Sequence, residues 1–333
     1  MQTLIKKLPK SLIEITGEVP IEKFEGKRAR AIKNLAQSVE IDGFRKGMVP
    51  ESVLVKKLGS MAILEEMAHL TLNETYPEIV TSHELDVIGN PEITITKIAE
   101  GSPLGFKMVS AIMPDIELPN YKKIAGEAEK IEAAEVTDKE VDETIENIRK
   151  NRARDEKKEP QLHELNDEFA KSLGKFESLA DLKTKLKKNI KIDKELRAKE
   201  KKRMAIIEKI ISEIKTEIPD ILINAETEKL IARMRNDIER MGLKFDDYLK
   251  NLKKSEGDFK KEWRGEGEKR AKIELALAKI AKIENIKPKD EEVEKEVKHV
   301  IEHYKETKET LVRDYVTSLL TNEKVFKFLE GQR

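Results

Sequence analysis

From Ser178 to Ile218 the chain runs about forty residues without a glycine or a proline, while Leu179, Leu182, Leu186, Ile190, Ile207, Ile211 and Ile214 recur at helical spacing. Nothing in that stretch breaks a helix. At about 1.5 Å per residue it predicts a rod of roughly 60 Å, longer than a small domain is wide, so part of it must stand out as an arm.

A chain built on such a rod exposes much surface for its core, and the composition agrees. Charged residues make up 39%, aromatics 5% and hydrophobics 38%, an apolar share below the globular average. Long amphipathic helices that each bury one stripe fit that balance. The 333 residues exceed one ordinary core, which predicts two or three domains. Lys+Arg and Asp+Glu are equal at 65 each, which argues against a nucleic-acid coat and against an acidic disordered tail. Cysteine is absent, so no disulfide, thiolate nucleophile or cysteine-ligated metal can form; a reducing compartment fits. Met1 to Lys10 hold no continuous apolar run and no 18-residue apolar stretch occurs, so a cytoplasmic protein is expected.

Residues 1–113 read as a small α+β domain. Ile13, Ile15, Gly17 and Val19 alternate with Glu14, Thr16 and Glu18, the pattern of a half-buried strand. A helix is expected from Pro20 to about Gln37, a short one from Pro50 to Gly59, and a longer one capped by Ser60 and reaching about Thr81. Ile93–Thr96 and Phe106–Ile112 complete a three-strand expectation. Pro114 and Pro119 mark an extended connector within 114–161, which also holds a linker helix opened by the capping box Thr137-x-x-Glu140. Residues 162–333 read as an elongated all-α domain with long arms. Asn166 and Gly174 bracket a short helix, and Pro219 restarts the pattern with Ile231, Met234, Ile238 and Met241 on one face. Lys250 to Glu268 is polar around Trp263, and Ile273–Ile280 is apolar almost all round. Two last helices follow Pro288, one bearing Val293, Val297 and Ile301, the other Leu311, Tyr315, Leu319 and Phe326.

Charge is unevenly placed. Residues 1–57 carry 12 Lys/Arg against 7 Asp/Glu, and residues 58–113 carry 2 against 8. The positive end includes Gly43-Phe44-Arg45-Lys46-Gly47-Met48-Val49-Pro50, an aromatic and two cations between glycines that permit a sharp turn. Such a tip suits a surface that is partly negative and partly apolar. Taken alone, the octapeptide more often means a loop with Phe44 packed inward and Arg45 and Lys46 as solvated charges.

Gly43, Phe44, Arg45, Gly47 and Pro50 match the ribosome-docking signature Gly-Phe-Arg-x-Gly-Lys-x-Pro, and the chain resembles the bacterial trigger factor family there; Met48 stands where the family usually has lysine. The resemblance extends over Pro114–Tyr121, Glu135–Asp142 and the segment from Leu165, and so covers nearly the whole chain. It implies an ATP-independent chaperone with its α+β domain on the large ribosomal subunit near the nascent-chain exit. Phe44 would fill an apolar notch, with Arg45 and Lys46 pairing with acidic side chains of a ribosomal protein or with rRNA phosphate. The helical arms would shelter nascent and unfolded polypeptides, and the resemblance leaves room for a homodimer of free molecules. Family members usually carry a prolyl-isomerase domain of the FK506-binding type. Here only about a dozen mostly polar residues, at about 152–164, stand where it would be inserted, so that activity is expected to be absent.

Other motifs carry less. Flexible methionines such as Met204, Met234 and Met241 suit promiscuous apolar contacts, and Met234, Met241, Leu243, Phe245 and Tyr248 are the candidate client-binding residues; core filling is the commoner role of each methionine taken singly. Lys183–Arg203 holds 11 Lys/Arg and 3 acids, which allows RNA binding, but no aromatics interleave and a solvated helix face is the better account. His299 and His303 could share a zinc ion on one helical face, yet no third ligand is evident. Gly26-Lys27 runs into Arg28 and Gly174-Lys175 into Phe176, so no phosphate-binding loop is formed. No catalytic residue, metal or cofactor is expected.

Overall fold

The structure, a computed structural model, describes residues 3–42, 44–129, 135–155, 164–303 and 308–332. Contacts divide the chain into two units, Met1–Glu117 with Ile214–Leu275, and Leu118–Glu213 with Ala276–Arg333.

The first unit begins with an antiparallel sheet of order β1-β2-β4-β3, formed by Thr3–Leu8, Leu12–Val19, Val87–Lys97 and Leu104–Ile112 as β1 to β4. Ile15 stands opposite Ile5 on one side and Met108 on the other, so alternation puts Ile13, Ile15, Leu104, Phe106 and Met108 on the covered face. Four helices, α1 (Ile21–Glu25), α2 (Arg28–Ser38), α3 (Glu51–Leu58) and α4 (Ser60–Ser82), lie between β2 and β3 in the chain. Phe24, Ile63, Met67 and Leu72 close the core from the helical side. Each large side chain enclosed there contributes about 1.5–3 kcal/mol by leaving water.

Two expectations change in this region. The sheet has a fourth strand, β1, whose Lys6-Lys7 step breaks the alternation; as an edge strand it needs only partial burial. The helix after Pro20 is two helices, because the chain turns at Gly26 and Lys27, where ψ is −14° and −8°. At Ser60 the cap residue is Gly59, with φ 87°, and Ser60 is the first helical residue.

The second part of this unit holds α9 (Asp220–Arg240), α10 (Phe245–Leu252) and α11 (Glu256–Ile283) up to Leu275. One helix, α11, runs through the polar stretch before Glu268, opened by a reciprocal cap: Ser255 N–H donates to Asp258 Oδ2 at 2.9 Å and Asp258 N–H to Ser255 Oγ at 3.2 Å. Lys10 and Arg264 share the Asp220 carboxylate at 3.4 and 2.6 Å, holding the β1–β2 turn to the start of α9.

In the second unit, α5 (Tyr121–Glu127) replaces the last part of the expected connector, capped by Asn120, whose Oδ1 accepts from Lys123 N–H at 3.1 Å. The linker helix α6 (Asp138–Asp155) starts at the expected capping box, with Thr137 and Glu140 bonded reciprocally. Asn166 caps α7 (Asp167–Leu173) and Ser178 caps α8 (Leu179–Ser212). At 34 residues, α8 is about 51 Å long; it stops before the expected end, and Ile214 and Ile218 are buried beyond it in the first unit. Val141, Ile145 and Phe169 seat α6 and α7 against Leu186 and Ile190 of α8.

The last helices are α12 (Asp290–His303) and α13 (Glu309–Glu330). Their seam is Val293, Val297, Val312 and Val316. Of the apolar positions read on α13, Leu311, Tyr315 and Leu319 are exposed and Phe326 is half-buried. No helix of the described residues is long and apolar enough to cross a membrane.

Candidate functional site

The loop between α2 and α3 is held by its base. Arg28 donates from Nε and Nη2 to Glu51 Oε1 at 3.0 and 2.9 Å, tying the start of α2 to the start of α3. A small satellite core of Ala36, Val49 and Leu54, with Ile41, Val53 and Leu58 around it, fills the space beneath the loop. Val49 is 6% exposed and acts as the plug. Pro50 caps α3: its carbonyl accepts from Val53 and Leu54 N–H at 3.1 Å.

Above this base the backbone is pinned. Phe44 N–H donates to Ile41 O at 3.1 Å, Gly47 N–H to Ala36 O at 2.8 Å, and Met48 N–H to Arg45 O at 2.9 Å. Gly47 takes φ 84°, which a side chain there would resist. Gly43 lies outside the described residues. The inward-packed alternative for Phe44 fails, since the residue is 42% exposed; Arg45 and Lys46 are exposed too, and neither makes an ion pair among the described residues. The sequence therefore located the tip, but not Val49, the buried residue between Met48 and Pro50 that positions it.

The second candidate region, at the α9–α10 corner, divides. Met241 is 76% exposed and Leu243 is exposed beside Gly242, whose φ is 79°. Phe245 is 4% exposed and packs with Ile231, Ile238, Leu249 and Phe259, while the Arg235 guanidinium lies 4.6 Å from its ring centroid. Met234 and Tyr248 are half-buried against the same cluster, and Trp263 meets Phe259 edge-on at 5.7 Å. Phe245 is thus a core residue and not an open contact: α10 is strongly amphipathic, and its apolar face turns toward α9 and α11. Leu252, exposed nearby, was not singled out by the sequence.

The basic stretch of α8 is largely paired with protein carboxylates. Lys183, Lys187 and Lys194 reach Asp142, Asp138 and Glu140 of α6 at 2.7 Å. Arg203 is 85% shielded in a fork with Glu323 and Glu330, so it is no part of a solvated face. His299 and His303 rings stand 4.9 Å apart, and His303 Nδ1–H donates to His299 O at 2.9 Å. No group of three side chains among the described residues could hold a metal ion.

Models of two protein families match the chain: bacterial trigger factor protein over residues 1–148 and the bacterial trigger factor C-terminus over residues 178–330. The chain belongs to the trigger factor family. Relatives of that name include one from Moorella thermoacetica, 23% identical over 93% of the chain and 89% of the relative. One from Carboxydothermus hydrogenoformans is 26% identical over 93% of each, and one from Caldicellulosiruptor bescii 26% identical over 89% and 86%. A solved structure of the trigger factor chaperone shares the fold, with a TM-score of 0.54 at 20% identity over the whole of both chains. Trigger factor membership makes the chain a ribosome-associated molecular chaperone that binds ribosomes and nascent chains, and the RNA-binding and isomerase alternatives are not favoured.

Proposed function

We infer that the α2–α3 loop is the ribosome-docking element, with Gly43, Phe44, Arg45, Lys46, Gly47 and Pro50 forming or shaping its tip. The observation that carries this is the exposed Phe44 beside two cations that make no ion pair among the described residues, on a backbone fixed before any partner arrives. A preformed tip loses little conformational entropy on binding. It docks near the nascent-chain exit on a ribosomal protein whose carboxylates, or neighbouring rRNA phosphates, pair with Arg45 and Lys46. Replacing Phe44, Arg45 and Lys46 together with alanine is expected to abolish co-sedimentation with ribosomes; undiminished binding at moderate salt overturns the assignment.

In this reading residues 1–113 anchor, residues 114–161 connect, and residues 162–333 hold clients, with Met241 and Leu243 as open apolar contacts and Met234, Phe245 and Tyr248 as the core beneath them. The protein works in the cytoplasm without nucleotide and without isomerase catalysis. Two observations support the last point. The family models leave only residues 149–177 between them, and the alignment to the Moorella relative runs over 399 positions, more than the 333 residues of the chain. A proline-limited refolding assay tests it: acceleration at catalytic amounts of protein overturns it. Self-association of free molecules as a homodimer belongs to the same reading and is read by sedimentation equilibrium.

A further inference from the structure

We propose that Met48 is a second apolar contact residue of the docking tip, working as a pair with Phe44 against an apolar recess on a ribosomal protein. The inference rests on the docking role of the loop.

Met48 is 73% exposed, although both its neighbours are fixed. Gly47 N–H is bonded to Ala36 O on α2, and Val49 is buried in the satellite core. The side chain therefore projects from an anchored backbone and is not a floppy loop residue without a place. A bond from Met48 N–H to Arg45 O closes the four-residue turn Arg45-Lys46-Gly47-Met48, with Gly47 at φ 84° in its third position. A positive φ at the third position is what a type II turn requires, and the end residues of such a turn lie within about 7 Å of each other. Phe44 precedes Arg45 in the chain and the Met48 backbone closes onto Arg45 through the turn, so two exposed apolar residues border one cation along the backbone.

The chemistry of such a triplet selects its partner. A thioether gains nothing by lying against phosphate oxygens, while an unbranched, polarisable chain adapts to an irregular apolar recess. The family signature has lysine here, so this chain replaces a third cation by apolar area. Its docking should depend more on burial and less on ion pairing than a tip with lysine, and so decline less steeply with salt.

Ribosome co-sedimentation over a salt series tests this with Met48→Ser, Met48→Leu, Met48→Lys and the Phe44/Arg45/Lys46 triple-alanine variant, each checked by circular dichroism for unchanged fold. Met48→Ser is expected to weaken binding by roughly 5- to 20-fold, the loss that follows from removing part of a buried methionine contact. Met48→Leu should stay within about twofold of the parent, since the two side chains are close in volume. Met48→Lys should bind with a steeper salt dependence. If Met48→Ser binds like the parent while the triple variant is lost, the docking reading stands and the role of Met48 falls. A Met48→Lys variant that binds more tightly at low salt, with Met48→Ser neutral, assigns the contact to RNA phosphate and also overturns it. If the triple variant binds undiminished, the docking reading fails and takes this inference with it.

Discussion

The Arg203 guanidinium grips both carboxylate oxygens of Glu323, from Nη1 at 2.6 Å and Nη2 at 2.9 Å, and its Nε donates to Glu330 at 2.6 Å. One side chain of α8 thus joins two turns of α13, and the Phe326 ring lies 5.2 Å from its centre. The two carboxylates hold the guanidinium above its usual pKa, mainly through the Glu323 hydrogen bonds, and Glu323 titrates below the usual carboxylate range.

Removing Arg203 leaves two neighbouring carboxylates with only the more distant Lys199, 3.9 Å from each, and Lys327, 3.8 Å from Glu323, to offset them. Arg203→Ala is expected to cost about 2–3 kcal/mol, below the cost of breaking a fully buried pair because Glu323 is partly solvated. Urea unfolding measures it. Arg203→Ala combined with Glu323→Gln should cost less than the sum of the two; strict additivity would show that Arg203 and Glu323 are not coupled.

Two glycines two residues apart in α11 should respond with opposite sign. A Cβ at Gly267 would stand 2.2 Å from Thr227 Oγ1 and 2.9 Å from the Ile223 carbonyl, so Gly267→Ala must push α11 away from α9, at a cost of roughly 1–3 kcal/mol. Adding Thr227→Ala can relieve only part of this, because the backbone carbonyl remains. At Gly265 nothing lies within 4 Å, and Gly265→Ala should stabilise by about 0.5–1 kcal/mol through helix propensity alone. Thermal melts of the two variants that moved together would contradict this packing.

Tyr121 donates its hydroxyl to Glu284, which Lys122 also contacts at 2.8 Å. Burial, and then the Glu284 hydrogen bond and charge, push the phenol up to about 12 from its ordinary value of 10.0. The folded state therefore holds this proton more tightly than the unfolded chain. Its contribution is complete below about pH 10 and is lost as pH rises toward 12. Phenolate absorbance should show one late-titrating group that disappears in Tyr121→Phe; a difference curve centred on the ordinary tyrosine range would refute the shift.

At the α9–α10 corner, structural and client-facing roles should separate. Phe245→Ala removes a buried ring and is expected to destabilise by about 3–5 kcal/mol. Met241→Ser with Leu243→Ser should leave the melting temperature within about a degree, since surface changes lie within ±0.5 kcal/mol. The pair should nevertheless weaken suppression of client aggregation. Full suppression by the double variant would move client binding elsewhere.

What the sequence made legible was local. Thr137 with Glu140, Asn166 and Ser178 announce helix starts because each cap is satisfied within three residues of chain, and the Ile13–Val19 alternation writes a face directly. Choices that depend on a distant partner were not legible. On α13 both Leu311/Tyr315/Leu319 and Val312/Val316 form apolar stripes about 100° apart. Only the Val293/Val297 face of α12 decides between them, and it takes the smaller valines. The sequence groups Phe245 with its neighbours Met241 and Leu243; its burial comes from Phe259 and Ile231, which are remote in sequence. Gly267 gave no signal beyond an unexplained glycine in a polar stretch. In the α2–α3 loop the motif marked the exposed tip, while the plug at Val49 is an ordinary valine until Ala36 and Leu54 are seen around it.

That plug separates two kinds of change. Because Val49, Gly47 and the Pro50 cap carry the fold of the loop, Phe44, Arg45, Lys46 and Met48 can be exchanged at little cost in stability. The tip is in effect a replaceable key on a fixed shank: its four exposed side chains can be recut for a different lock while the loop keeps its shape.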